Sequence, residues 1–265
     1  MSEEARVISC VPRQLPQNEW VRAAKHAMEV AAENRPRDLP DDWENVAVGE
    51  KAALDIKRYW GKKGVKLTVG FIDTPDVALR KRILEHMNAW SKTANVTFTE
   101  VSTDPQVRIA RFTDKEAPGQ DGYWSYLGTD VLLIDKHKPT MNLDSFTMST
   151  PDSEFHRVVR HEAGHTLGFP HEHMRADIIK RLDRKKVVAD FGRTQGWSEQ
   201  QVVAQILTPL EESSTFGTPN ADETSIMCYQ IDGKLTTDGK PVRGGTDINA
   251  TDAAFAAIVY PKPKS

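Results

Sequence analysis

Twelve consecutive residues constrain this chain more than any other stretch: His161-Glu162-Ala163-Gly164-His165-Thr166-Leu167-Gly168-Phe169-Pro170-His171-Glu172. On a helix, His161 and His165 lie one turn apart on one face, so both imidazoles can reach the same ion. Glu162 follows the first of them and can approach a metal-bound water without itself being a ligand. Gly168 lets the backbone leave the helix, because positive φ carries no Cβ penalty there. That turn brings His171 round as a third ligand. Three protein ligands leave a fourth position for water, which distinguishes a catalytic zinc site from a structural one. A lone pair of histidines one turn apart also arises by chance on helices; the added Gly and third His make this pattern far more specific.

Composition excludes several classes. The chain has 265 residues, 38% hydrophobic and 28% charged, which fits one compact unit with two lobes and a site between them. Its 35 basic and 38 acidic residues give a formal net charge of −3, with no nucleic-acid or membrane footprint. No apolar run approaches a membrane span. Only two cysteines occur, Cys10 and Cys228, so a disulfide framework is excluded and at most one bridge can form. Met1-Ser2-Glu3-Glu4-Ala5-Arg6 is polar and lacks the apolar core of a secretory signal. The sequence as it stands therefore reads as cytoplasmic, or as secreted if a signal has been removed. A monomer is expected.

The pattern along the chain divides it into an N-terminal extension, 1–50, and a domain over 51–265. Asn18 is placed to cap a helix running to about Asn34, stopped by Pro36. A polar, proline-punctuated connector follows, then a second expected helix over 50–59. Val65, Leu67, Val69 and Phe71 alternate as in a strand. Thr74-Pro75-Asp76 reads as a helix start, with Thr as cap, for a helix to about Trp90. Strands are expected over 96–101, 107–112 and 131–135. Thr150-Pro151-Asp152 opens the helix that carries His161 and His165, and Ser198 to Gln201 is a capping box. The last sixty residues are rich in Gly, Thr, Asp and Pro.

The string His-Glu-x-x-His-x-x-Gly-x-x-His is the metzincin signature, and a methionine turn is expected downstream; Ser225-Ile226-Met227-Cys228-Tyr229 supplies it. With His171-Glu172-His173-Met174-Arg175-Ala176-Asp177, Tyr123-Trp124-Ser125-Tyr126-Leu127-Gly128 and Tyr59-Trp60-Gly61, the chain resembles the astacin family of zinc endopeptidases over roughly residues 57–262. The family's four disulfide cysteines are missing: Asn95 and Tyr123 stand in two of their places, and Cys228 replaces the histidine of the methionine turn. The resemblance implies an α+β metzincin-type fold: an upper lobe of twisted mixed sheet with helices, and a largely irregular lower lobe with a C-terminal helix. It also implies one zinc per chain on His161, His165 and His171. Glu162 is then the general base and Tyr229 a donor to the oxyanion. Met227 forms an apolar floor, and the edge strand at Trp124 and Ser125 binds the substrate backbone.

Other residues read more plainly. His26, His86, His137 and His156 have no metal-like spacing. Glu172 is by default a solvated charge; in astacins the matching glutamate contacts the mature N-terminus. His173 falls outside the ligand spacing and is expected either just behind the ligands or at the surface, and Cys228 is expected to be buried. Residues 1–50 occupy the place of the family's propeptide, whose acidic motif Ala47-Val48-Gly49-Glu50 matches only in its last two residues. Cys10, within Val7-Ile8-Ser9-Cys10-Val11, either completes a core strand or lies across the cleft as a thiolate zinc ligand. The functional expectation is a zinc-dependent endopeptidase acting on peptide or protein substrates. Its alternatives are a narrow-specificity regulatory or toxin-type protease, or a zinc-holding binding protein that does not cut.

Overall fold

The structure, a computed structural model, describes residues 10, 13–41, 43, 56–209 and 221–263. Its centre is a five-stranded sheet: β1 (Val65–Phe71), β2 (Val96–Glu100), β3 (Val107–Ala110), β4 (Tyr123–Ser125) and β5 (Met141–Leu143), in the order β2-β1-β3-β5-β4. Four strands run parallel, and β4 alone is antiparallel to its neighbour, pairing Trp124 with Asn142. Burial alternates at the start of β1, with Val65, Leu67 and Val69 inside, as its period-two pattern requires. The central β3 is buried throughout. The expected α+β class and mixed sheet are what the structure contains.

Five helices matter for the site: α1 (Trp20–Val30), α2 (Val77–Met87), α3 (Arg160–Thr166), α4 (Arg184–Gln195) and α5 (Ala250–Val259). Helix α2 buries Leu79, Ile83 and Met87, and α3 lies beneath them in the same apolar core. Trp90 Nε1 donates to Arg160 O (2.9 Å), Trp60 Nε1 to Thr166 O (2.9 Å), and Ser125 Oγ to Glu162 O (3.2 Å), so side chains from three parts of the upper lobe grip α3. Below it, a second core forms from Ile178, Leu182, Val187, Phe191, Val202, Ile206, Ile231, Leu235 and Val242.

Several expectations need correction. Residues 131–135 form no strand: Gly128–Leu133 is a 3-10 turn that packs on α1, and the fifth strand is the short β5. Thr74 does not cap α2; it takes a positive φ of 45°, and Asp76 holds the cap position without a side-chain bond. Thr150 Oγ1 accepts from Thr147 N, while Pro151 stands before the helical turn Asp152–Glu154. A π-helical turn, Phe155–Val159, then leads into α3. Asn18 lies in a 3-10 turn before α1, and the helix stops at Val30. The helix expected over 50–59 and the motif Ala47–Glu50 fall largely outside the described residues, and 56–60 is not helical. The Ser198–Gln201 capping box is present, and a second one, Asn249–Asp252, starts α5.

Candidate metal centre and active site

The three histidines of the motif converge. His165 Nε2 lies 3.0 Å from His171 Nε2, and His161 Nε2 lies 3.2 Å from the same atom. His161 Nδ1 donates to Ile226 O (2.6 Å) and His165 Nδ1 to Phe169 O (2.8 Å). With both Nδ1 protons committed to carbonyls, the Nε2 atoms of these two rings turn lone pairs toward His171, an arrangement that is repulsive unless a cation sits among them. A tetrahedral ion with bonds of about 2.0–2.1 Å holds its ligand nitrogens roughly 3.3 Å apart, close to what is found. The donor set fits zinc. Burial, first of all, keeps all three rings neutral: it draws His161 down to about 4 and the other two well below the usual imidazole range.

Local structure explains the convergence. Gly168 takes φ 90°, where a Cβ would press on Arg58 O at 2.9 Å, and the chain turns there to bring His171 back. Gly164 faces Met227: a Cβ on it would lie 2.6 Å from the methionine sulfur, so a glycine in the middle of the zinc helix lets the floor approach. The methionine turn is fastened from below by Asp252, which accepts from Ser225 Oγ (2.6 Å), Ile226 N (2.9 Å) and Asn249 N (3.0 Å). Glu172 N in turn donates to Met227 O (2.9 Å), tying the third histidine to the same turn.

Glu162 is wholly buried, and among the described residues neither carboxylate oxygen has a hydrogen-bond partner. Burial pushes its pKa up to about 8, with Cys10 and Arg157 opposing the rise. The Cys10 thiol and this carboxylate interact, the thiol being pushed up by burial and by the carboxylate's charge. A dication held by the imidazoles would pull the carboxyl back down. Tyr229 is also buried, its hydroxyl without a partner among the described residues, its ring stacked on His173 at 4.1 Å and 4.4 Å from His171.

Cys10 is the fourth member of the cluster. Its Sγ and one nitrogen from each of His161, His165 and His171 lie within 4.8 Å of one another. The sequence left two placements open, and the structure puts the thiol at the metal centre within the second core. Three residues on, Arg13 N donates to Ser125 O (3.0 Å), pairing parallel to the edge strand. Cys228 is buried and free, and so is Cys10; no bridge joins them.

The remaining residues fall as follows. Trp124 is on the edge strand as expected, with the Arg13 guanidinium 4.7 Å from its ring centroid. Ser125 offers only its backbone: its side chain points inward to Glu162 O. His173 is not at the surface; it is buried, and its Nε2 contacts Gln205 O at 3.1 Å. Glu172 is no solvated charge either. It accepts from Asp222 N (3.0 Å), and burial, chiefly, lifts it to about 7. Spacing gave no hint that His86, Asp152 and His156 meet with ligand-type atoms within 4.8 Å. Arg82 and Arg160 already pair with the carboxylates there, Arg82 with Asp152 (2.9 Å) and Arg160 with Asp247 (2.5 Å), so the group reads as an ion network that braces the start of the zinc helix.

Comparison with known proteins agrees with this geometry. The sequence profile of the matrixin peptidase family matches residues 59–192. The zinc metalloproteinase nas-27 of Caenorhabditis elegans is 34% identical over 178 residues, which is 67% of this chain; the chain spans about a third of that relative's length, 35%. A solved structure of myroilysin is 35% identical with a TM-score of 0.71, covering 78% of this chain and 97% of that one. The hatching enzyme zinc-protease HCE-1 of Oryzias latipes, at 17% identity and a TM-score of 0.50, covers 75% of this chain and 90% of its own and shares the fold.

Proposed function

We propose that this chain, which belongs to the astacin-like metzincin zinc peptidases, is a zinc-dependent endopeptidase whose own N-terminal segment closes its active site. The observation that carries the reading is the meeting of Cys10 with three buried imidazoles beside an unpartnered glutamate. Zinc, when bound, polarises a carbonyl and brings the pKa of a water toward neutrality. The chain's residues supply the rest. His161, His165 and His171 hold the ion. Glu162, buried and without a partner, takes a proton from the attacking water and delivers it to the leaving amine. The Tyr229 hydroxyl, with no partner of its own, donates to the developing oxyanion. The outer edge of β4 holds an extended peptide by backbone hydrogen bonds once Arg13 has left it.

Cys10 occupies the position that such a water needs, and Arg13 holds the carbonyl of Ser125 that a substrate would use. The intact chain is therefore latent, with Cys10 and Arg13 of the N-terminal extension as its cover. Peptide and protein substrates suit the cleft. Among the described residues no helix is long and apolar enough to cross a membrane.

The same observation gives the non-cutting alternative its best support, since three histidines plus a cysteine make a closed, structural type of zinc site. Two full-length variants decide between them. Cys10→Ala should retain one zinc and digest casein at least tenfold faster than the intact chain; adding Glu162→Gln should keep the zinc and remove about 10²–10⁴ of that rate. A Cys10→Ala protein that binds zinc and leaves casein whole would establish the holding role. Turnover undiminished by Glu162→Gln would refute the assigned base.

A further inference from the structure

The segment that covers the cleft also reports what the cleft accepts. Arg13 pairs parallel to the edge strand, its amide bonded to Ser125 O and its side chain folded over Trp124. The guanidinium sits 4.7 Å from the indole centroid and Nη2 donates to Gly119 O at 2.6 Å. Among the described residues no carboxylate pairs with it. Trp124 is only 3% exposed and is itself fixed, Nε1 donating to Gln120 O (2.9 Å), with Tyr126 edge-on at 6.1 Å. The loop that carries Gly119 is fastened independently of Arg13: Gly119 N donates to Asp114 Oδ1 (3.0 Å) and Gly122 N to Asp144 Oδ2 (2.8 Å). An aromatic face and a carbonyl, both held by their own bonds, make a receptor for a cation without a countercharge.

We propose that Trp124, Tyr126 and Gly119 O form a subsite for a positively charged substrate side chain, which Arg13 fills in the covered state. This rests on the peptidase reading and names its substrate class: peptides with arginine or lysine at one fixed position near the cut. Cys10 marks the metal, and three residues of chain span at most about 10 Å, so that position is two to four residues from the scissile bond. Arginine is favoured over lysine, because a planar guanidinium stacks on indole while still donating to the carbonyl.

The probe is a set of octapeptides with otherwise uncharged side chains, each carrying arginine, lysine or the isosteric, uncharged citrulline at one position. The protein is the full chain with Cys10→Ala and Arg13→Ala, which frees the subsite, in an active form and in a form with Glu162→Gln. The Glu162→Gln form should bind the arginine peptide about tenfold more tightly than the citrulline peptide at one position, the scale of a desolvated cation–π contact. The active form should cut it with a kcat/KM higher by the same factor. Trp124→Leu, which keeps bulk and loses the π face, should level the two peptides in both measurements. Equal binding of arginine and citrulline peptides at every position overturns the subsite. A binding preference without any hydrolysis would instead overturn the peptidase reading and leave the subsite standing.

Discussion

Two apolar cores meet at the methionine turn, and they are built differently. The first joins β1, β2, β3 and β5 to α2, α3 and α5, and takes in Ile226 and Met227. The second takes in the next two residues, Cys228 and Tyr229, together with Cys10 and side chains spread from Ile178 to Val242. The first is made of paired strands with bulky side chains in fixed register. The second has α4, short turns and isolated bridges, Leu182 with Thr236 and Ile231 with Val242. The chain places His161 and His165, which must not move, in the rigid half. It places Tyr229 and Cys10, whose proposed roles require movement, in the half built from short turns and isolated bridges.

The largest test of this division is Tyr229→Phe in a Cys10→Ala background. Loss of the proposed oxyanion donor should lower kcat by about 10²–10³ while zinc content and KM change little. Because the hydroxyl has no partner among the described residues, melting temperature should hold or rise. A lowered melting temperature with kcat intact would place Tyr229 among ordinary core residues.

A smaller effect is expected at the seam. Asp252 accepts two hydrogen bonds from the methionine turn and a third from Asn249 N, and its carboxylate is buried. Asp252→Ala leaves those donors unpaired and should cost about 2–4 kcal/mol in chemical denaturation, with weaker zinc binding because Ile226 O no longer fixes His161. Zinc affinity unchanged by the substitution would mean that the two cores hold the turn without this clamp.

Smallest is a pH effect confined to the first core. Burial, aided by Arg160 and His156, lowers His86 from 6.5 to about 4. A histidine kept neutral when folded contributes stability that is fully present above pH 6.5. The unfolded chain takes up the proton first, so that contribution fades as pH falls from 6.5 toward 4. The loss should be about 1–2 kcal/mol, discounted because the facing Asp152 is solvent-exposed. The urea midpoint of His86→Gln should be flatter over this window; an identical slope would remove His86 as its source.

Much of the first core was legible because it is local: alternation in Val65–Phe71, the spacing of Ile83 and Met87, and the twelve-residue metal motif each declare themselves within one turn or strand. What escaped depends on distant partners. Residues 131–135 look like a strand, yet their backbone is used in a 3-10 turn against α1. Thr74 has the chemistry of a cap, but the left-handed φ it adopts leaves Asp76 at that position. His173 has no ligand spacing, and only the fold brings Gln205 O and Tyr229 to it. The ion network of His86, Asp152, His156 and Asp247 gathers three separate segments. Cys10 is 151 positions before His161 in the numbering, and no local pattern could bring them together.

The central claim is that the three histidines and Cys10 bind one ion in the intact chain. Zinc K-edge absorption of the intact, zinc-loaded protein tests it directly. The account predicts one sulfur near 2.3 Å with three nitrogens at about 2.0–2.1 Å, and replacement of that sulfur by a light atom in Cys10→Ala at unchanged zinc content. A first shell of nitrogen and oxygen alone in the intact protein, identical to that of Cys10→Ala, would contradict it.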